Sequence, residues 1–211
     1  MATNISSIYS DTETQYFKNE LKTAIQDFML YTESEDYLGI ILRAQLYIEK
    51  NLDILLNKLL IHPNKISLQF FSSKLDAAYA LGAIEDDWYF ALQKFNKIRN
   101  KYAHDFKYEF TENEYTNLVS TLSKDAKNEY INNIHREEWA KQIISSITNT
   151  NSEPLTLKYK LRILLSDFML YVMQQHQSFA YLWKEINLTK EQQILNEREI
   201  LLSNLKETQT K

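Results

Sequence analysis

An all-α protein, an antiparallel helical bundle with additional C-terminal helices, is what this sequence predicts, on three observations. Its 211 residues hold only two glycines, Gly39 and Gly82, and two prolines, Pro63 and Pro154. A β-rich chain of that length needs many more turn formers. Apolar residues recur at helical rather than alternating spacing. Several times a Ser or Thr stands three residues before a Glu or Gln, the pattern of a capping box.

Ser10 with Glu13 opens a first helix that runs to about Tyr31, with Phe17, Leu21, Ile25 and Phe28 on one face. Thr32 with Glu35 repeats the signature and opens a second helix to about Ile61. Leu38, Ile41, Ile48, Leu52, Leu55 and Leu59 face inward on it, and HPN (62–64) stops it. SLQFFSSKLDAAYALG reads as a third helix ending on Gly82, a residue suited to the left-handed position after a helix end. AIEDD gives an acidic start to a fourth helix carrying WYFALQKFNKIRNKYAH. DFKYEF reads as a loop or a short extended piece, and Thr111 with Glu114 caps a fifth helix, TENEYTNLVSTL.

Beyond Lys124 the texture changes. A helix over about 128–147 leads into TNTNSEP (148–154), the best linker candidate. A long helix from about Leu155 to Ile186 follows, then one from about Thr189 to Lys206 that Thr189 and Gln192 cap. Residues 1–125 are expected to form the bundle, and 126–211 a C-terminal helical extension packed on it. LKTAIQDFMLYT (21–32) and LRILLSDFMLYV (161–172) share six identities in twelve positions. Two amphipathic helices of similar composition match this way easily, so coincidence suffices.

Apolar residues make up 44% and charged residues 25%, the balance of a globular chain and too apolar for disorder. No cysteine occurs, which removes disulfides, thiolate catalysis and zinc–thiolate sites and fits a reducing compartment. MATNISSIYSDTETQ lacks the basic start and apolar block of a signal peptide, and the run IILRAQLYI is short and broken by Arg43. A cytoplasmic protein without a membrane span is expected. A net charge of −4 counts against a broad grip on duplex DNA, so no sequence-specific DNA binding is expected. His62, His135 and His176 are isolated, with no HxxH or HExxH spacing, and no glycine-rich phosphate loop exists. No metal site and no cofactor are expected.

The chemistry concentrates in the fourth helix. With Phe95 at the centre of its buried face, Trp88, Ala91, Leu92, Ile98 and Tyr102 fall within roughly 60° of it. Arg99 falls inside the same stripe, about 40° from Phe95. A guanidinium stays charged and is costly to bury unpaired. It therefore needs either an internal carboxylate such as Glu49 or a cleft to face. Asn96, Asn100 and His104 form an i, i+4, i+8 ridge beside the stripe. His104 lies about 140° round the helix from Arg99, too far to share a small ligand unless the helix ends there or a second chain brings its own pair. Lys94, Lys97, Arg99, Lys101 and Lys107 stand against Asp105 alone in 94–107, a basic spot on an acidic body that suits a phosphate. Basic residues near a helix C-terminus also answer the macrodipole on a solvated face, so the pattern leaves both readings open.

Arg99, Asn100 and His104 resemble the Arg-(four to six residues)-His motif of the HEPN superfamily, in which a polar residue commonly follows the arginine. KLDAAYALGAIEDD, the helix with RNKYAH, and YEFTENE together resemble the mannitol operon repressor family, an all-helical group allied to HEPN proteins, over roughly residues 40–125. The resemblance implies an antiparallel HEPN-like helical bundle and, where the motif is active, a metal-independent endoribonuclease that uses the 2′-hydroxyl beside the scissile bond. On that implication His104 moves protons, Arg99 holds the phosphate and Asn100 orients one of them. Lys94, Asn96, Lys97, Lys101 and Tyr102 would bind RNA. A homodimer would set two motifs face to face, supplying base and acid together. A toxin or defence role goes with that activity. The other expectation is a non-catalytic, mannitol-repressor-like regulator or toxin-neutralising protein that works by protein–protein contact.

Overall fold

The computed structural model describes residues 11–63, 67–148 and 155–179. They are all-α: no strand occurs among them. α1 spans Asp11–Tyr31, α2 Tyr37–Leu59, α3 Phe71–Ala80, α4 Asp86–His104, α5 Glu112–Val119 and α6 Lys124–Thr148. α7 is helical over 157–179. The Ser10 cap, most of the 148–154 linker and the helix expected near 189–206 lie outside the described residues. No helix among those described is long and apolar enough to cross a membrane.

The helix starts depart from the capping patterns in two places. Thr32 does not cap α2. Its hydroxyl folds back onto the Phe28 carbonyl at 2.6 Å, closing α1 instead. Asp36 takes the cap, its carboxylate accepting the Gly39 N–H at 2.8 Å. Leu38, expected inward, is consequently in the first turn of α2 and 36% exposed, on the same flank as Leu42 and Leu46. α3 starts at Phe71 rather than Ser67, because the Ser73 hydroxyl binds both the N–H (3.2 Å) and the carbonyl (2.8 Å) of Phe70 and fixes the entry there.

Elsewhere the local signals hold. α3 closes with Gly82 N–H on the Tyr79 carbonyl and Ala83 N–H on the Ala78 carbonyl, both at 2.9 Å. That paired arrangement requires a left-handed residue, and Gly82 has φ +71°. Thr111 caps α5 by accepting the Glu114 N–H at 3.3 Å. Residues 105–110 form an irregular connection in which Asp105 accepts the Lys107 N–H at 2.9 Å.

α4 lies against α2, α3 and α5. It runs antiparallel to α3, since Tyr79 stacks on Tyr89 at one end and Phe71 meets Phe95 edge-on at the other. It also runs antiparallel to α7, where Trp88 stacks on Tyr171 at 4.2 Å and Phe168 meets Trp88 and Phe95 edge-on at 6.0 Å each. The Tyr171 hydroxyl accepts the Glu85 N–H at 2.9 Å, tying α7 to the start of α4.

The core does not stop at the expected 125/126 boundary. Leu161, Leu164, Leu165, Phe168 and Val172 have no exposed surface and share one cluster with Ile48, Leu52, Leu92 and Phe95. All six residues of 161–166 are buried, as befits a helix that is apolar on nearly every side. α7 thus fills part of the bundle's interior.

Within that interior lies Arg162, 6% exposed. Its Nε donates to the Thr32 hydroxyl at 2.9 Å and its Nη2 to the Met29 carbonyl. The Tyr159 ring faces its guanidinium at 5.4 Å. α1 has no basic residue in its last turn, so α7 supplies the cation that a helix C-terminus favours.

Candidate functional site

α4 places Ala91, Leu92, Phe95 and Ile98 in the core, and Trp88 and Tyr102 pack half-buried against it. Arg99, next to Ile98, is half-buried. Its Nη1 donates to the Asn100 Oδ1 at 3.0 Å. Its Nε is buried without a hydrogen-bond partner. No carboxylate among the described residues lies within ion-pair distance of it.

Glu49 does not neutralise Arg99. It accepts Lys74 Nζ at 2.8 Å, and Asp53 accepts the same ammonium at 2.9 Å. Burial pulls the Lys74 pKa down, but the hydrogen bonds and charges of Glu49 and Asp53 outweigh it and the net shift is upward. The carboxylate that could have quenched Arg99 is therefore committed to another cation.

Arg99 opens into a polar cleft of about 230 Å³. On α4 the wall is Asn96, Arg99 and Asn100, an i, i+3, i+4 set that helical geometry brings to one side. α2 contributes Gln45 and Glu49. The third wall is the entry to α3, from Gln69 to Ser72. An arginine beside a cluster of amides suits an anionic oxygen ligand such as phosphate, which the guanidinium fork can grip through two parallel hydrogen bonds.

The eight residues singled out in the sequence separate. Asn96, Arg99 and Asn100 line the cleft together. His104 is the last residue of α4, exposed and outside the cleft. The helix ends there with Asp105 N–H on the Lys101 carbonyl at 2.8 Å, which leaves the predicted angular gap between Arg99 and His104 in place. Lys97 is exposed. Lys101 pairs with Glu114 at 2.6 Å and sits 5.2 Å from the Tyr108 ring centre. That hydrogen bond, with a contribution from Lys94, holds the Glu114 carboxyl below its ordinary range. Tyr102 accepts the Phe110 N–H at 3.0 Å and meets Tyr108 edge-on. Lys94, Lys101 and Tyr102 do not line the cleft.

Gln45, Gln69, Phe70 and Ser72 went unremarked in the sequence. Gln45 carried a signal: it interrupts the α2 stripe between Ala44 and Ile48 and is only 6% exposed. It is to α2 what Arg99 is to α4, a polar residue in an apolar row.

A second polar cluster joins α6 to α7. Asp167 accepts Asn133 Nδ2 at 3.2 Å, and the Asn133 oxygen accepts Arg136 Nη2 at 2.6 Å. The cluster borders a cleft of about 290 Å³ whose apolar walls include Met29 and Leu170. Burial pushes the Asp167 carboxyl up to about 7, since the single amide hydrogen bond and the more distant Arg136 offset only part of the desolvation.

What fold and cleft define is an all-α protein with an unpaired arginine facing a polar pocket. Compared with known proteins, the chain matches no family model, no curated protein and no solved structure.

Proposed function

We propose that the protein is a HEPN-type, metal-independent endoribonuclease with a toxin or defence role, cleaving RNA in a cleft that two chains complete. The observation that carries this reading is Arg99, which lines an open polar cleft with no carboxylate among the described residues within ion-pair distance. In the reaction the 2′-hydroxyl attacks the adjacent phosphorus and loses its proton to a base. The 5′-oxygen leaves with a proton from an acid, giving a 2′,3′-cyclic phosphate and a free 5′-hydroxyl. Arg99 stabilises the charge on the pentavalent phosphorus. Asn100 orients Arg99, through the 3.0 Å bond between them. His104 has the chemistry for the proton transfers. Because it stands outside its own chain's cleft, the reading requires His104 of the partner subunit and hence a two-fold dimer.

A second reading, a mannitol-repressor-like regulator or toxin-neutralising protein without catalysis, draws on a different feature. Leu38, Leu42 and Leu46 are 36%, 38% and 67% exposed along one flank of α2, an apolar row suited to a protein partner.

An RNA-cleavage assay in chelator, read beside the solution mass, separates the two. Wild type should cut RNA as a dimer, and Arg99→Ala and His104→Ala should each lose about a hundredfold or more. A wild-type dimer that leaves RNA uncut sinks the nuclease and leaves the regulator.

A further inference from the structure

The cleft beside Arg99 is built for more than a phosphate. Four of its side chains end in amides; Asn100 accepts from Arg99, while no hydrogen bond among the described residues uses the amides of Gln45, Gln69 and Asn96. An amide offers a donor and an acceptor side by side, as the edge of a nucleobase does. A phosphate alone needs donors only.

At the rim stands Phe70, whose large ring is 70% exposed. The neighbouring Phe71 is 4% exposed and packed edge-on against Phe95. The Ser73 hydroxyl grips both backbone polar groups of Phe70. The ring is therefore solvent-facing at its tip and fixed at its root. A pre-positioned aromatic face beside a cationic group is the arrangement on which an unstacked base settles.

Scale and charge narrow the ligand further. A space of about 230 Å³ accommodates a single base ring and no duplex. A chain with net charge −4 has little long-range attraction for a polyanion, so short-range contacts must supply the affinity. Glu49 adds a direction: it lines the cleft, and Lys74 takes only one of its two carboxylate oxygens, Oε1. An acceptor favours bases that carry an amino group over uracil.

We propose that the Arg99 cleft is a single-nucleotide subsite for single-stranded RNA, in which an extruded, amino-bearing base stacks on Phe70 and is read along its edge by Gln45, Gln69, Asn96 and Glu49. The inference rests on the reading of Arg99 as a phosphate ligand and adds the base to it.

The test is fluorescence anisotropy with short labelled oligonucleotides on the full-length His104→Ala chain, so that cleavage does not intervene. The probes are oligo(A), oligo(C), oligo(U) and an abasic strand with the same number of phosphates. Oligo(A) and oligo(C) should bind about tenfold or more tighter than the abasic strand, and roughly severalfold tighter than oligo(U). Phe70→Ala should remove about tenfold from the base-bearing strands and leave the abasic strand unchanged. Arg99→Ala should weaken all four by a similar factor and preserve their ranking. Thermal melts of both variants confirm that the fold survives, as Phe70 lies outside the core. An abasic strand that binds as tightly as oligo(A), with Arg99→Ala still weakening both, overturns the base subsite and spares the phosphate reading. Failure of every strand to bind overturns both.

Discussion

Two arginines interrupt apolar stripes in this molecule, and their surroundings differ completely. Arg162 is sealed in the bundle, where a hydroxyl, a backbone carbonyl and an aromatic face absorb its donors. Arg99 sits at the edge of the same core with one neighbouring amide oxygen and a buried nitrogen that nothing satisfies. Neither is in an ion pair with a carboxylate among the described residues. A buried cation is thus no marker of function by itself. What separates the two is whether the protein's own groups enclose the guanidinium or leave its residue lining an open cleft.

The contrast has a measurable form. Arg162→Ala should cost roughly 3–4 kcal/mol in chemical denaturation, because it empties a packed volume, orphans the Met29 carbonyl and removes the donor to the Thr32 hydroxyl oxygen. Arg99→Ala should move stability by less than about 1 kcal/mol, since it removes a group that the fold leaves unsatisfied. Equal losses at the two positions would erase the distinction and return Arg99 to a structural role.

A smaller effect comes from an ionisable group where α6 meets α7. Asp167 is pushed up to about 7 in the fold, above the ordinary carboxyl value of the unfolded chain. The folded state therefore binds the extra proton. The stability that this contributes is complete below the unfolded value, about 4, and is lost as pH rises through about 7. Asp167→Asn should flatten that slope and gain about 2 kcal/mol over wild type at pH 8, taking roughly half of what a shift of this size implies because the carboxyl is partly exposed. Denaturation midpoints at pH 5 and pH 8 check it; a wild type no less stable at pH 8 than at pH 5 contradicts it. Gly82→Ala should cost about 1 kcal/mol, because alanine at φ +71° is strained while no neighbouring atom stands within 4 Å of its added methyl. A melt unchanged by that substitution would mean the α3 end relaxes.

Which parts of this were readable beforehand follows from how local each cause is. The α4 stripe, the Gly82 turn and the Thr111 cap depend on residues within a few positions of one another, and all three stand as the sequence implies. The Thr32 cap failed for a remote reason. Two capping residues, Thr32 and Asp36, compete four positions apart, and the Thr32 hydroxyl also receives a hydrogen bond from Arg162, 130 residues away. The cleft was half legible for the same reason. Asn96, Arg99 and Asn100 share a helix and could be grouped by angle, whereas Gln45, Gln69 and Phe70 reach the cleft only once α2 and the entry to α3 close around α4. The isolation of His104 followed from helical geometry alone, and the helix end did nothing to undo it.

The placement of α7 bears on how the chain is made. Synthesis proceeds from the N-terminus, so α1 to α6 leave the ribosome before the segment whose side chains fill the space between them. Until about residue 172 has emerged, Ile48, Leu52, Leu92 and Phe95 lack the side of the core that α7 supplies, and the nascent helices present part of their apolar faces to whatever is nearby. Completion is therefore late and abrupt, and premature stops should yield chains that chaperones and proteases handle as unfolded, with no working half-molecule.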